Sequence, residues 1–304
     1  MELNAVIYHA SMHLTEDELH QDDSTCPFCA SFDRVPSYLL QENPKILLLT
    51  CLNCGASSAS RMPTNETLFK YYNKYYINNK MQFEKHITFD DPPRFAKHLV
   101  KQISEKILEK NITILDFGGG DGSIACALGN QLNREVVEIT VVDYSENCLN
   151  YIRGNTKVIY KKKLDEVMGQ FNLVIASAVI EHLPNPNSTL IELLAHLQPG
   201  GIFYARTPSV LPLMKICSVF GIKWDFTYPA HIHDLGQEFW EKYFQNPNIS
   251  PHFKVLDSRP SIVETSFKMH FFRTLAAYAL KLPWILLGRR YKLVGGWEIF
   301  VQRA

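Results

Sequence analysis

The sequence has no long hydrophobic run and no excess of either charge. A membrane-spanning helix needs about 20 consecutive apolar residues, and the nearest approach, residues 271–288, is interrupted by Arg273, Lys281 and Pro283. Lysine plus arginine and aspartate plus glutamate both total 31, so no overall positive field draws the chain onto nucleic acid. The N-terminus also lacks the basic and apolar segments of a secretory signal. We therefore expect a cytoplasmic protein.

The charges are unevenly distributed along the chain. Residues 1–25 hold six acids and no lysine or arginine, whereas residues 266–297 hold six cations among several aromatic residues and no acid. The second pattern suits an anionic membrane surface, a phosphorylated sugar or single-stranded RNA. Its structural alternative is a helix pair packed on a sheet with a solvated basic face. Peripheral membrane contact through residues 266–297 therefore stays open, and a nucleic-acid partner is not expected.

Four of the seven cysteines form two Cys-x2-Cys pairs, Cys26 with Cys29 and Cys51 with Cys54. Zinc is commonly bound by four cysteine thiolates in a tetrahedron, and each Cys-x2-Cys pair presents two sulfurs on one side of an ion. Disulfides and a redox Cys-x-x-Cys are the alternatives, but structural disulfides are rare in intracellular proteins. The spacing predicts a closed, structural zinc knuckle.

The residues after the knuckle predict first a helix and then an alternation of strands and helices. Tyr71, Tyr72, Tyr75 and Tyr76 have the spacing of one side of a helix. From Ile112 onward, strand-like and helix-like segments alternate, which is typical of a parallel α/β sheet. We expect strands near 112–117, 138–143, 157–160, 171–177, 201–207, 253–259 and 294–302.

This order predicts four parts of the chain. They are an acidic leader (1–25), a zinc knuckle (26–61), a tyrosine-rich helix with a linker (62–92) and an α/β domain (93–304).

The segment from Ile112 to Ser123 is the most informative in the chain. An apolar strand ends at Asp116 and is followed by Gly118, Gly120 and Gly122 before a helix. Glycines allow a tight turn and close approach of a ligand to the backbone. A dinucleotide fingerprint needs a sixth-position glycine, and Ser123 stands there. Asp116 would repel a pyrophosphate but attract an ammonium group.

Later segments extend this pattern. Asp143 ends the second strand, where a carboxylate can accept hydrogen bonds from ribose hydroxyls. Residues 171–184 contain a buried strand that runs into Glu181 and His182, and residues 197–208 supply a turn and a further strand. In this order and spacing, these four blocks resemble class I S-adenosylmethionine-dependent methyltransferases over residues 95–303. The resemblance implies an α/β, doubly wound Rossmann-like sheet with a small N-terminal zinc-binding subdomain.

The resemblance also implies a cofactor site for S-adenosylmethionine. Asp116, Gly118 and Gly120 match residues that line the methionine part of the cofactor, and Asp143 matches the acid that holds the ribose. The remaining matches are Tyr144 beside the adenine, Leu164 or Asp165 at the adenine edge, and Ser177 and Ala178 beside the reactive methyl group.

The N-terminal blocks resemble one subgroup of these enzymes. Cys26-Pro-Phe-Cys29, Cys51-Leu-Asn-Cys54 and the tyrosine-bearing segment 68–75 are similar to sugar methyltransferases of nucleotide-sugar and surface-polysaccharide pathways. In that subgroup, the knuckle and the tyrosine helix cover the active site. This chain lacks the long second C-terminal domain of the enzymes that C-methylate deoxysugars, so their specific reaction is not implied.

Three histidines are candidate general bases near the carboxyl ends of strands. His182 follows the fourth strand, and His231 and His233 lie in the loop after the fifth. A histidine can remove a proton from a hydroxyl or amine as that group attacks the methyl carbon. The alternative for each is a structural role in its loop.

Together, these observations predict methyl transfer from S-adenosylmethionine to a small acceptor, a sugar or a nucleotide-sugar or surface-glycan precursor. A methyltransferase acting on RNA or protein and a non-catalytic cofactor-binding subunit are the alternatives.

Overall fold

A computed structural model of the chain describes residues 2–4, 11–78, 91–107, 109–132, 134–144, 151–153 and 155–304, the backbone alone at 2–4, 73–78, 151–153 and 225. The strands are β1 (Glu2–Asn4), β2 (Arg34–Gln41), β3 (Ile46–Cys51), β4 (Ser57–Ala59), β5 (Asn111–Phe117), β6 (Val136–Val142), β7 (Tyr151–Arg153), β8 (Thr156–Lys161), β9 (Phe171–Ser177), β10 (Leu197–Ser209), β11 (Lys223–Asp225), β12 (His233–Asp234), β13 (Phe253–Pro260) and β14 (Gly295–Arg303). The α-helices are α1 (Asn65–Asn78), α2 (Pro92–Ile103), α3 (Ser123–Leu132), α4 (Pro186–Ala195), α5 (Leu211–Val219), α6 (Gln237–Gln245) and α7 (Phe271–Leu287).

The central sheet has eight strands in the order β13-β14-β10-β9-β5-β6-β8-β7. The strands from β10 to β8 are parallel, whereas β14 is antiparallel to both of its neighbours. The chain order reverses between β9 and β5, and in doubly wound sheets ligands bind at the carboxyl ends of the strands beside such a switch point. The seven strands expected from the sequence are all present, and the α/β fold class is confirmed.

Helices cover both faces of this sheet because its central strands are apolar on both sides. All residues of β9 except Ser177 are buried, as expected of a parallel strand between two helical layers. On one face, α2 and α3 contribute Phe95, Leu99 and Leu128 to the core. On the other face, α4 and α6 contribute apolar residues, Trp240 of α6 among them.

A second sheet, in the order β12-β4-β3-β2, carries the cysteine pairs. Its edge strand β12 comes from the loop of the predicted α/β domain and aligns His233 with Ser58. The cysteines and Phe28 share one core cluster with α6. The predicted zinc knuckle (26–61) and the predicted α/β domain (93–304) thus pack together here, and the four-part division of the chain remains a prediction.

The tyrosine-rich segment forms α1, as the spacing predicts. Tyr71 is buried and its ring lies edge-on to that of Tyr72, with 5.4 Å between centroids. The side chains of Tyr75 and Tyr76 lie outside the described part of the chain.

The basic aromatic region between β13 and β14 folds into α7 and a short 3-10 turn, Gly288–Arg290. Within the described residues, no helix is long and apolar enough to cross a membrane. The alternative of a helix pair with a basic outer face does not match α7, because most of its exposed side chains are large and apolar.

Candidate functional site

A glycine loop connects β5 to α3 at the carboxyl edge of the sheet. Gly118, Gly120 and Gly122 all have φ between 56° and 71°, in the left-handed region that favours glycine. A side chain on Gly118 would lie 2.5 Å from Val179, whereas one on Gly120 would point into open space. The backbone at Gly120 is therefore accessible to a ligand.

Asp116 lies directly under this loop. It is buried, and its Oδ2 has no hydrogen-bond partner among the described residues. A Cβ on Gly119 would approach that same oxygen to 2.5 Å, so only glycine lets the loop pack against the carboxyl group. Burial, with a smaller contribution from the charges of Asp143 and Asp121, raises the pKa of Asp116 to about 7. A buried carboxylate oxygen without a partner fits an ammonium group, which would offset its desolvation.

Asp143 follows β6 and faces the same loop. Its Oδ2 accepts a hydrogen bond of 2.9 Å from the Gly120 amide, and the Gly118 amide donates to the carbonyl of Val142 at 2.8 Å. The loop is thus attached to the neighbouring strand, and the carboxylate lies next to the open position at Gly120. The adjacent Tyr144 side chain is exposed.

Leu164 and Asp165 lie on a 3-10 turn after β8, with Leu164 buried and Asp165 exposed. At the end of β9, the Ser177 hydroxyl accepts a hydrogen bond of 3.1 Å from Nε of Arg206. Ala178 has a φ of 57°, which is strained for a residue with a Cβ. Strain at the end of β9 is consistent with a functional position.

His182 and His231 come together beyond β9, with 4.8 Å between their ring centroids. Nδ1–H of His182 donates to the Ala230 carbonyl at 2.7 Å, and burial lowers the pKa of His182 to about 4. The Thr227 hydroxyl donates to the Phe226 carbonyl at 2.6 Å and lies 3.0 Å from Nδ1 of His231. The Thr227 oxygen therefore accepts a hydrogen bond from Nδ1–H of His231.

His233 has different surroundings. Its Nε2–H donates to the Leu183 carbonyl and its Nδ1 accepts from the Ser58 hydroxyl, both at 2.9 Å. The ring is buried against Phe28, and burial lowers its pKa to about 3. This histidine connects the cysteine-bearing sheet to the loop after β9.

Glu181 completes the cluster and was not among the residues expected from the sequence. It is buried, its Oε2 has no hydrogen-bond partner in the described part of the chain, and burial raises its pKa to about 8. Ligand-type atoms of Glu181, His182 and His231 all lie within 4.8 Å of one another. Such a cluster suits proton transfer, and its donor types also suit a divalent cation. In the sequence, the Glu181-His182 pair after a predicted buried strand is the feature that could have indicated this cluster.

Arg206 is a second residue that the sequence analysis missed. It is buried on β10, contacts Ser177, and forms an ion pair with Glu264 from the segment before α7. A buried arginine connects the end of β9 to the chain leading into α7. No local motif marks it.

The four predicted metal ligands converge. The Cys26 and Cys54 sulfurs are 3.5 Å apart, and those of Cys29 and Cys51 are 3.6 Å apart. A tetrahedral zinc site with Zn–S near 2.3 Å requires sulfurs about 3.8 Å apart, whereas a disulfide requires about 2.05 Å. The residue after each pair, Ala30 or Gly55, has a φ of 55° or 79° and reverses the chain there. The donor set fits a closed structural zinc site.

Comparison with known proteins agrees with this fold. The family model described as "Methyltransferase domain" matches residues 85–258, more than half of the chain. A magnesium protoporphyrin IX methyltransferase from Synechocystis PCC 6803, solved with bound SAH, covers 79% of this chain and all of its own, with 12% identity and a TM-score of 0.50. That likeness concerns the fold alone.

Two curated relatives are similar to part of the chain. The ubiquinone biosynthesis O-methyltransferase of Caulobacter vibrioides is 28% identical over 42% of this chain and 54% of its own. The release factor glutamine methyltransferase of Streptococcus pneumoniae is 30% identical over 34% of this chain and 40% of its own. The chain spans about half the length of the curated relatives that it matches. With a family match over most of the α/β part and a sheet of the class I methyltransferase type, the chain belongs to the methyltransferase domain family.

Proposed function

We propose that this protein transfers the methyl group of S-adenosylmethionine to a small acceptor at the carboxyl ends of β5 and β9. The observation that carries the proposal is the buried carboxyl oxygen of Asp116 beneath the glycine loop, which has no hydrogen-bond partner among the residues that the structure describes. When bound, S-adenosylmethionine supplies a methyl group already activated on a sulfonium centre. The protein then has to hold, align and desolvate the reactants, which favours catalysis by positioning.

Residues at the ends of different strands hold different parts of the cofactor in this proposal. Asp116 pairs with the ammonium group, and the backbone at Gly118 and the accessible backbone at Gly120 line the methionine part. Asp143 accepts hydrogen bonds from the ribose hydroxyls, which it can do while it accepts from the Gly120 amide, because a carboxylate has about four acceptor positions. Further contacts are assigned to Tyr144, Leu164 and Asp165 at the adenine and to Ser177 and Ala178 at the methyl group.

His231 is the proposed general base. Its ring lies beyond the carboxyl end of β9, 4.8 Å from the ring of His182 between centroids, and a histidine there can receive the proton of the acceptor as the acceptor attacks the methyl carbon. Ligand-type atoms of Glu181 and His182 lie within 4.8 Å of its own. His233 has both ring nitrogens engaged within the protein, which favours a positioning role.

The acceptor class is proposed to be glycosyl, as a free sugar derivative or a nucleotide-sugar or surface-glycan precursor. The knuckle supports this choice through its resemblance to the knuckles of sugar methyltransferases, and His233 brings the cysteine-bearing sheet against the loop that carries His231. Peripheral membrane contact through residues 266–297 is a separate expectation, and the function proposed here does not depend on it.

The test measures transfer of a labelled methyl group to UDP-, GDP- and dTDP-hexoses. We expect a labelled hexose, and we expect His231→Ala to reduce turnover about 100-fold or more with little change in cofactor affinity. His252→Ala is the matched control, since His252 is exposed and precedes β13 at the opposite edge of the sheet.

Three outcomes would contradict parts of this proposal. A fully active His231→Ala enzyme would exclude His231 as the base. Activity that requires an added divalent cation, in protein that still holds one zinc per chain at the cysteines, would assign the Glu181 cluster to a metal instead. Labelling of RNA, with binding that weakens steeply as salt rises, would replace the glycosyl acceptor by a polymer.

A further inference from the structure

The outer face of α7 is apolar along its whole length. Thr274 is its only fully buried residue. The exposed side chains include Phe272 at 83% and Leu286 at 89% of full exposure. With them, Phe271, Leu275, Tyr278, Leu282 and Ile285 recur at intervals of three and four residues, the spacing of one side of a helix.

This arrangement is the reverse of an ordinary surface helix, which turns its apolar stripe toward the core. A helix of 17 residues is about 25 Å long at 1.5 Å per residue. Contiguous apolar patches of this length are uncommon on soluble proteins and mark sites that contact another molecule or a membrane.

The charges around α7 indicate what kind of partner covers its apolar face. Residues 265–297 contain six lysines and arginines and no acid. Five of these are exposed, Lys268, Arg273, Arg289, Arg290 and Lys292, and of the five Arg289 contacts Glu241 at 3.4 Å. A second copy docked on this face would bring cations next to cations. An anionic lipid surface would attract them while it buries the apolar stripe.

The position of α7 connects this surface to the candidate site. In the sheet register, Trp297 of β14 pairs with Pro260 of β13 and with Thr207 of β10. The crossover that contains α7 therefore starts and ends at the carboxyl edge of the sheet, where the glycine loop and His231 lie. The ion pair of Glu264 with Arg206 ties the start of this crossover to the end of β9.

We propose that α7 lies flat on an anionic bilayer and that the acceptor is a glycosyl group attached to a lipid in that bilayer. The acceptor half of this inference rests on the function proposed above, whereas the docking half does not. Since no described helix can span a membrane, the contact is interfacial.

The docking experiment uses sedimentation with vesicles of phosphatidylcholine alone or with 30% phosphatidylglycerol added. We expect the whole protein to bind the anionic vesicles at least tenfold more tightly than the neutral ones. The double variant Leu282→Glu with Leu286→Glu should lose this binding, since both side chains are exposed and the fold does not depend on them. Met168→Glu is the matched control, because Met168 is 86% exposed and precedes β9 at the opposite edge of the sheet.

Several results would overturn the docking proposal. They are no binding to either vesicle, equal loss in the Met168→Glu control, or a dimer in light scattering that only the α7 variant dissociates. Docking without methylation of any acceptor would leave this surface standing and contradict the proposed function.

The acceptor half is tested with a hexosyl diacylglycerol in the same vesicles and a UDP-hexose in solution. We expect at least tenfold faster methylation of the vesicle substrate, lost in the α7 variant while cofactor binding in calorimetry is unchanged. Methylation of the soluble hexose alone would overturn the lipid attachment.

Discussion

The cysteine cluster and the strand-end site (Asp116, Gly120 and Asp143) are both candidate ligand sites, but they are built by different parts of the structure. The four sulfurs come from two short turns that reverse at Ala30 and Gly55, and a single ion would satisfy all four. The strand-end site is held by the parallel sheet and by the Gly120–Asp143 hydrogen bond before any ligand arrives. We infer that losing the metal damages the fold, whereas losing the cofactor leaves the fold intact.

The largest expected effect is therefore metal removal. We expect about one zinc per chain, and Cys54→Ser or a strong chelator should destabilise the protein by several kcal/mol, because metal binding at such a site is folding energy. The loss should reach α6, since the Phe28 ring packs edge-on against Phe239 with centroids 4.6 Å apart. Thermal unfolding and near-ultraviolet circular dichroism measure both effects.

Cys217→Ser is the control for this variant, because Cys217 lies on α5 and is not part of the cluster. It should unfold close to the wild-type temperature. Purified protein that contains no metal and has four freely titratable thiols at the knuckle would disprove the zinc assignment.

The next effect concerns the strand-end site and should appear in affinity rather than stability. Asp143→Ala should weaken S-adenosylmethionine binding by about 1–3 kcal/mol, because the ribose hydroxyls lose a charged acceptor. Asp143→Asn keeps an oxygen for the Gly120 amide, so it should lose less. Calorimetry measures the cofactor affinity of both variants, and their unfolding curves measure their stability. Unchanged affinity in Asp143→Ala would contradict the ribose placement, and a large loss of stability would contradict a preformed site.

The two sites also differ in how far the sequence predicts them. The cysteine pairs and the glycine loop are local patterns, and the buried strands follow from runs of apolar residues such as Phe171–Ser177. Helical and strand periodicity therefore predicts the order of the main elements. Pairing of β12 with β4 joins two residues to a strand about 175 positions earlier, and so short a contact leaves no periodic signal.

Side-chain roles at the strand-end site depend on such long-range contacts. The sequence makes His231 and His233 equivalent candidates for the base. In the structure, His231 contacts Thr227 and His182. His233 instead forms hydrogen bonds with Ser58 and Leu183. Glu181 is buried after β9, and its Oε2 has no hydrogen-bond partner in the part of the chain that the structure describes, which no local pattern predicts. Likewise, the composition of residues 266–297 predicts cations and aromatics, but only the packing of α7 determines which of them face outward.

The smallest expected effect is a dependence of cofactor affinity on pH that arises at Asp116. Burial raises its pKa to about 7 in the cofactor-free protein, so the carboxylate form that pairs with an ammonium group increases as pH rises through 7. S-adenosylmethionine affinity should fall about fivefold between pH 7 and pH 6, and it should fall again above about pH 8 as the ammonium loses its proton. Because the folded-state pKa lies above the unfolded value, the stability of the cofactor-free protein should decrease as pH rises from 4 to 7. The Asp116→Asn variant should bind S-adenosylmethionine weakly. Below pH 7, neither its cofactor affinity nor its stability should show the pH dependence that arises at Asp116. Calorimetry at pH 6.0, 6.5 and 7.0 decides the matter, and an affinity that is flat in the wild type over this range would show that Asp116 is already ionised and paired before the cofactor binds.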